Sequence, residues 1–252
     1  ARHMRQRYGA TDPRSWMMRF HSQTAGVTLT AQQPMNNVVR VAYQALAAVL
    51  GGTQSLHTNS MDETLALPTE EAVQVALRTQ QVLAYETGVP NVSDPLGGSY
   101  YVEALTEQLE RQAEALFTEI DEVGGVVAGL EQGWFQRKIA QSAARQQWEI
   151  EQRRRLVVGV NEFVTDEPEL TIPTLRVGQQ VDEDQRRRLA ALRASRDGAL
   201  CTQRIDALRE AARTDANLIP YILDCARANC TLYEIRAAME DVFGAYREPV
   251  FF

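Results

Sequence analysis

Two stretches of this chain gather side chains that could do chemistry. They are Arg19-Phe20-His21-Ser22-Gln23-Thr24-Ala25-Gly26 and Gly52-Thr53-Gln54-Ser55-Leu56-His57-Thr58-Asn59-Ser60. Each holds a histidine, an amide and hydroxyls, groups that donate and accept hydrogen bonds without a formal charge. Such a set suits a large, polar, uncharged ligand rich in amides and hydroxyls. Neither stretch holds a hydrolytic nucleophile motif, a phosphate loop or spaced metal ligands. No residue is therefore singled out as catalytic and none as a metal ligand, and any hard chemistry has to come from a cofactor.

The elements that must position these groups follow from the apolar spacing. Residues 1–8 read as the end of a helix, Thr11-Asp12-Pro13 as a turn, and 15–21 as a short strand of alternating bulky side chains. Thr30 is placed as the cap of a helix over 31–50, with Val38, Val39, Ala42, Leu46 and Val49 on its apolar side, and Gly51-Gly52 ends it. A second strand over 53–57 and a helix over 69–86 come next. Pro68, Glu70 and Glu71 suit the first turn of that helix, where the dipole is positive. Strands separated by helices predict parallel pairing and an α/β fold. In a closed (β/α) barrel, the C-terminal strand ends carry the chemistry.

Beyond Asp94 the pattern turns helical. Pro95-Leu96-Gly97-Gly98-Ser99 reads as a tight loop, 105–123 as an amphipathic helix broken by Gly124-Gly125, and 136–155 as another helix. Residues 157–164 read as a brief extended piece, and Pro168 and Pro173 mark a surface linker. Three or four shorter helices are expected over 182–244.

With 252 residues the chain can bury a real core. A net charge of -7 argues against a nucleic-acid partner, because phosphate binding needs a basic surface. The basic run Arg153-Arg154-Arg155 reads as a solvated helix end. Cys201, Cys225 and Cys230 lack metal-like spacing, which predicts reduced, helix-packing thiols in a cytosolic protein. No apolar run approaches the ~18 residues of a membrane span, and no signal peptide is recognisable. A cytoplasmic location without membrane contact is expected.

The motifs themselves carry a resemblance. The run over 15–59, with Gln32, Asn36-Asn37, Gly51-Gly52 and Thr53-Gln54-Ser55-Leu56-His57-Thr58-Asn59, closely resembles the methylmalonyl-CoA mutase family. Asp94-Pro95-Leu96-Gly97-Gly98-Ser99-Tyr100, Val158-Gly159-Val160-Asn161 and Tyr246-Arg247-Glu248-Pro249 resemble its later landmarks. The resemblance implies an adenosylcobalamin enzyme on a TIM-type (β/α)8 barrel. In that arrangement the acyl-CoA threads the barrel axis and the corrin lies across its C-terminal mouth. It also implies a radical carbon-skeleton shift, in the parent reaction between methylmalonyl-CoA and succinyl-CoA. Mutases for isobutyryl-, ethylmalonyl- and hydroxyisobutyryl-CoA share the same landmarks.

Residue by residue, the resemblance makes His21 and Gln54 substrate contacts and Gln23 an amide facing the corrin. Asn59 and Glu63 hold the adenosyl ribose, a carboxylate being suited to accept both hydroxyls of a vicinal diol. Ala66 makes a small-residue cofactor contact, on the same side as Glu63 if their loop is helical. His57 reads as a structural residue at the barrel mouth.

Part of the family's pattern is not found. The Asp-x-His-x-x-Gly motif that supplies the cobalt's lower ligand is absent, since the histidines are His3, His21 and His57. A separate cobalamin-binding subunit is expected to supply it. Only the last strands of a barrel can be assigned, so an N-terminal barrel half or a partner chain is expected to complete it. The expected organisation is a partial barrel over 1–95, a helical extension packing on it over 96–165, and a helical linker or subunit-docking region over 166–252. The chain is expected to be inactive alone. The competing reading is a non-catalytic binding or assembly module that docks a cobalamin subunit.

Overall fold

Asp12 and Pro13 shape the entry to the first strand. In the computed structural model, which describes residues 1–165 and 172–247, the Asp12 side chain accepts the Arg14 N–H and opens a 3-10 turn over Pro13–Trp16. Proline suits the first turn of a helix, so residues 15 and 16, expected in a strand, wind instead. The Trp16 indole N–H then donates to the Ala10 carbonyl at 2.8 Å. The ladder proper is short: β1 is His21–Gln23 and β2 is Ser55–His57. They pair in parallel, with His21 opposite Ser55, Ser22 opposite Leu56 and Gln23 opposite His57. Backbone bonds from Gln54 N to Phe20 O and from Thr24 N to His57 O extend the pairing at either end. The parallel pairing predicted from the strand–helix–strand order is present, inside a chain that is otherwise mostly helical.

Helix α1 spans Asn36–Leu50, five residues later than the apolar spacing predicts. Pro34 is the cause. Proline disfavours right-handed helical backbone at the residue before it, and Gln33 takes φ 47 instead. Thr30 does not cap the helix; its hydroxyl donates to the Gln32 carbonyl. Helix α2, Glu70–Glu86, starts as read, with the Thr69 hydroxyl accepting the Ala72 N–H and Glu70 and Glu71 in the first turn. The buried positions of α1 (Asn37, Val41, Ala45) and α2 (Ala72, Ala76, Leu83) are mostly small, and the two helices pack together.

Helix α3 spans Tyr100–Glu122, beginning earlier than read because Ser99 caps it. Helices α4, Gly125–Glu131, and α5, Trp134–Glu151, follow, each entered through a left-handed glycine, Gly124 and Gly133. Residues 157–164 are a closed turn rather than an extended piece. Asn161 organises it: its amide donates to the Ile150 and Arg155 carbonyls and its Oδ1 accepts the Val157 N–H. One side chain thus satisfies a carbonyl at the end of α5 and shapes the turn after it.

Residues 1–176 make one compact unit, and a second begins at Val177. Pro168, read as part of the linker, and Glu248 and Pro249 lie outside the described residues. The second unit holds α6 (Gln179–Ser195), α7 (Gly198–Ala211), α8 (Ile219–Arg227) and α9 (Leu232–Phe243). Its core joins Leu208, Cys225, Ile235 and Ala238. The Cys201 thiol donates to the Ala228 carbonyl at 2.9 Å. Burial raises the Cys225 thiol and, with Cys201 beside it, pushes Cys230 up to about 12. Cys225 and Cys230 therefore stay protonated at neutral pH, as packing groups.

Arg196, just past α6, forks onto Glu234 of α9, at 2.6 and 2.7 Å. Glu234 also closes a capping box with Thr231. The Arg196 guanidinium, helped by the Thr231 donors, holds Glu234 at about 2, against an ordinary value of 4.5. A lowered carboxylate stabilises the fold above its unfolded pKa and stops doing so as pH falls through its folded one. The urea midpoint of the second unit is therefore expected to fall between pH 4.5 and about 2. Glu234→Gln is expected to start lower and to flatten that part of the profile. Parallel profiles for the two proteins would refute this role.

Candidate functional site

The strand pair presents one exposed face. Alternation along β1 and β2 puts His21, Gln23, Ser55 and His57 on it, all exposed, while Ser22 and Leu56 turn the other way and are half-buried. Leu56 lies on the side of α2, whose Gln80 donates to its carbonyl. The open face is thus polar, and in register His21 bonds across to Ser55, Nδ1 to Oγ, at 2.7 Å. That bond fixes the imidazole's orientation.

Where the strands end, the chain becomes buried but stays polar: Thr24, Thr58, Asn59, Ser60 and Asp62 are all at most 5% exposed. Buried polar groups require partners: Thr24 and Asn59 find them in each other, and Thr58 donates to the Ala76 carbonyl of α2. The Thr24 hydroxyl donates to Asn59 Oδ1 at 2.6 Å and accepts the Asn59 N–H at 2.9 Å. Asn59 Nδ2 donates to Glu63 Oε2 at 2.5 Å, and the Ser60 N–H donates to Glu63 Oε1 at 2.7 Å. The half-buried Glu63 carboxylate is therefore clamped by one donor on each oxygen. Two carboxylate oxygens offer about four acceptor positions, so each keeps capacity for a further donor.

Residues 60–66 wind through successive tight turns, Glu63 N to Ser60 O, Leu65 N to Asp62 O and Ala66 N to Asp62 O. The loop is helix-like, the condition under which Glu63 and Ala66 share a side. Asp62 fastens it to α2: Oδ2 accepts both the N–H and the hydroxyl of Thr69. Gln54 sits elsewhere, before β2 rather than after it. Its amide is spent on backbone, accepting Phe20 N–H at 2.7 Å and donating to Gly52 O at 2.8 Å. The structure thus gathers Gln23, Asn59, Glu63 and Ala66 around the C-terminal strand ends. His21 lies at the start of β1 and Gln54 just before β2.

Thr24 and Asp62 are the residues that sequence reasoning missed. Thr24 is the polar residue directly after β1, which is the available signal for it, and Asp62 stands next to Glu63 in the turn after β2.

The ends of the parallel strands thus lead into a turn with two carboxylates, Glu63 and the buried Asp62, among neutral amides and hydroxyls. The chain belongs to the methylmalonyl-CoA mutase family, whose model matches residues 1–245. It is 44% identical over its whole length to the 2-hydroxyisobutanoyl-CoA mutase large subunit of Aquincola tertiaricarbonis, covering 45% of that protein. It is 43% identical to the methylmalonyl-CoA mutase of Escherichia coli, over 96% of this chain and 34% of the relative. It is 42% identical to the mitochondrial enzyme of Mus musculus, over 93% of this chain and 31% of the relative. The relatives are acyl-CoA mutases, which are isomerases, and the chain spans less than half the length of each of these three. The family resemblance read from the motifs is confirmed. Among the described residues no helix is long and apolar enough to cross a membrane.

Proposed function

We propose that this chain is part of the catalytic subunit of an adenosylcobalamin-dependent acyl-CoA mutase, with β1 and β2 as the last strands of a TIM-type (β/α)8 barrel. The observation that carries the reading is the clamped Glu63 carboxylate beside Asn59, reached from β1 through Thr24. Its spare acceptor capacity fits the two ribose hydroxyls of an adenosyl group, and the neutral donors around it fit a corrin rim of amides. When bound, adenosylcobalamin supplies radical chemistry that no side chain here can. The chain's own residues bind and orient: Asn59 and Glu63 hold the ribose, the exposed Gln23 faces the corrin amides, and Ala66 leaves room beside them. His21, steadied by Ser55, and Gln54 face the acyl-CoA side. Binding groups fixed in this way place a reactive group against the substrate and exclude solvent.

Methylmalonyl-CoA is the favoured substrate, and 2-hydroxyisobutanoyl-CoA is the alternative that the Aquincola relative's name brings forward. The cobalt's lower ligand and the rest of the barrel come from outside these residues, so the chain does not turn over alone. The test combines it with a cobalamin-binding subunit and the upstream barrel. An electron paramagnetic resonance signal that appears only on adding an acyl-CoA is expected. In the same assembly Glu63→Gln is expected to weaken adenosylcobalamin binding roughly tenfold or more, the scale of a lost hydrogen bond to a charged group. A complex that forms yet stays silent with every candidate acyl-CoA would favour a non-catalytic assembly role.

A further inference from the structure

Asn37, in the first turn of α1, is fully buried, and its side chain has every hydrogen-bonding position in use. Its Nδ2 donates to the carbonyls of Thr30 and Met61, both at 2.9 Å. Its Oδ1 accepts the Thr30 N–H at 3.0 Å and Arg40 Nη1 at 2.8 Å. Only a neutral amide meets that demand, because aspartate lacks the donors and leucine lacks both kinds of group. Met61 lies midway between Asn59 and Glu63, so this bond grips the backbone of the turn that carries them.

Arg40 extends the grip outward. Besides Asn37 it donates to Thr30 Oγ1 at 2.9 Å and, through Nη2, to the Val158 carbonyl at 2.8 Å. A second tie runs beside it, from Gln33 Nε2 to the Phe163 carbonyl at 3.0 Å. The fit is close: Gly159 has φ +79, and a Cβ there would stand 2.8 Å from the Gln33 side chain. The turn at 157–164 is therefore braced against α1, and α1 against the turn at 59–63.

We propose that Asn37 and Arg40 are positioning residues, which transmit the support of the 157–164 turn to Met61 and so hold Asn59 and Glu63 in register for the nucleoside. The proposal rests on the reading that Asn59 and Glu63 face that nucleoside. The physical need is tolerance: a binding constellation has to be held to about 0.5 Å, which depends on the residues behind it.

The test uses the complete mutase containing this chain, titrated separately with adenosylcobalamin and with hydroxocobalamin, which lacks the adenosyl group. Arg40→Met is expected to weaken adenosylcobalamin roughly tenfold and hydroxocobalamin less than about twofold, the scale seen when a supporting residue behind a ligand is removed. Equal loss for both cobalamins, or loss for neither, overturns the proposal, since a general loosening of the fold would not single out the nucleoside. Glu63→Gln run alongside separates the two claims. If it shows adenosyl-selective loss and Arg40→Met does not, the positioning role falls and the site reading stands. If Glu63→Gln shows no selective loss, the site reading falls and takes the positioning role with it. Should Arg40→Met fail to fold, Gln33→Ala leaves Arg40 in place and removes the second tie together with the bond from Asn36 Nδ2 to Gln33 Oε1. A smaller selective loss, roughly threefold, is expected from it, and no selectivity overturns the proposal.

Discussion

Leu208→Ala is expected to remove about 2–5 kcal/mol from the second unit, the cost of emptying a buried leucine site that cannot fully collapse. Leu208 has no exposed surface and sits where α7 meets α8 and α9, against Cys225, Ile235, Ala238, Ile222 and Met239. Several of these neighbours are small or lie on short helices with few other buried residues. A unit of this size is stable by only about 4–11 kcal/mol, at roughly 0.05–0.15 kcal/mol per residue. One truncation therefore takes a large share. Amide hydrogen exchange on the whole chain reads the effect unit by unit. Protection in α7, α8 and α9 is expected to fall by the full amount, while α1 and α2 keep theirs. A uniform fall throughout would show that the two units unfold as one. Leu208→Met, which conserves volume, is expected to cost less than about 1.5 kcal/mol.

What was legible beforehand divides along a physical line. The strand–helix–strand order and the start of α2 depend on residues close together in sequence, and those signals are local. Thr69 caps α2 by bonding three residues ahead, and Glu63 meets Asn59 four residues away. The start of α1 is set by Pro34, whose effect on Gln33 overrides the apolar periodicity. The turn at 157–164 is not the extended piece expected there. Its shape is set instead by Asn161 reaching back to Ile150 and by Gly159 at positive φ. The role of Thr24 is hidden from local signals for a different reason. Its partner is 35 residues away, and only the parallel register of β1 and β2 brings the two together. The second unit's boundary was placed in a polar, proline-bearing stretch, where local signals define no sharp edge.

Thr24→Val is expected to be the most damaging single change at the site, although it exchanges one methyl-sized group for another. The Thr24 hydroxyl both donates to Asn59 Oδ1 and accepts the Asn59 N–H. Valine would leave both Asn59 groups buried without a partner, since Asn59 is 4% exposed and Thr24 5%. Each orphaned buried group costs about 1–3 kcal/mol, which for two groups gives a loss of about 2–6 kcal/mol from the first unit. The damage would not stay local, because the same Asn59 amide reaches Glu63 through Nδ2. An Asn59 that turns to find water would release one oxygen of that carboxylate. Thr24→Ser keeps the hydroxyl and gives up one methyl, so it is expected to lose only about 0.8 kcal/mol. Urea unfolding of the three proteins, with exchange at the Asn59 amide followed in parallel, measures the difference. A valine variant as stable as the serine variant, with that amide still protected, would mean that the Thr24 hydroxyl does not join the two strand ends.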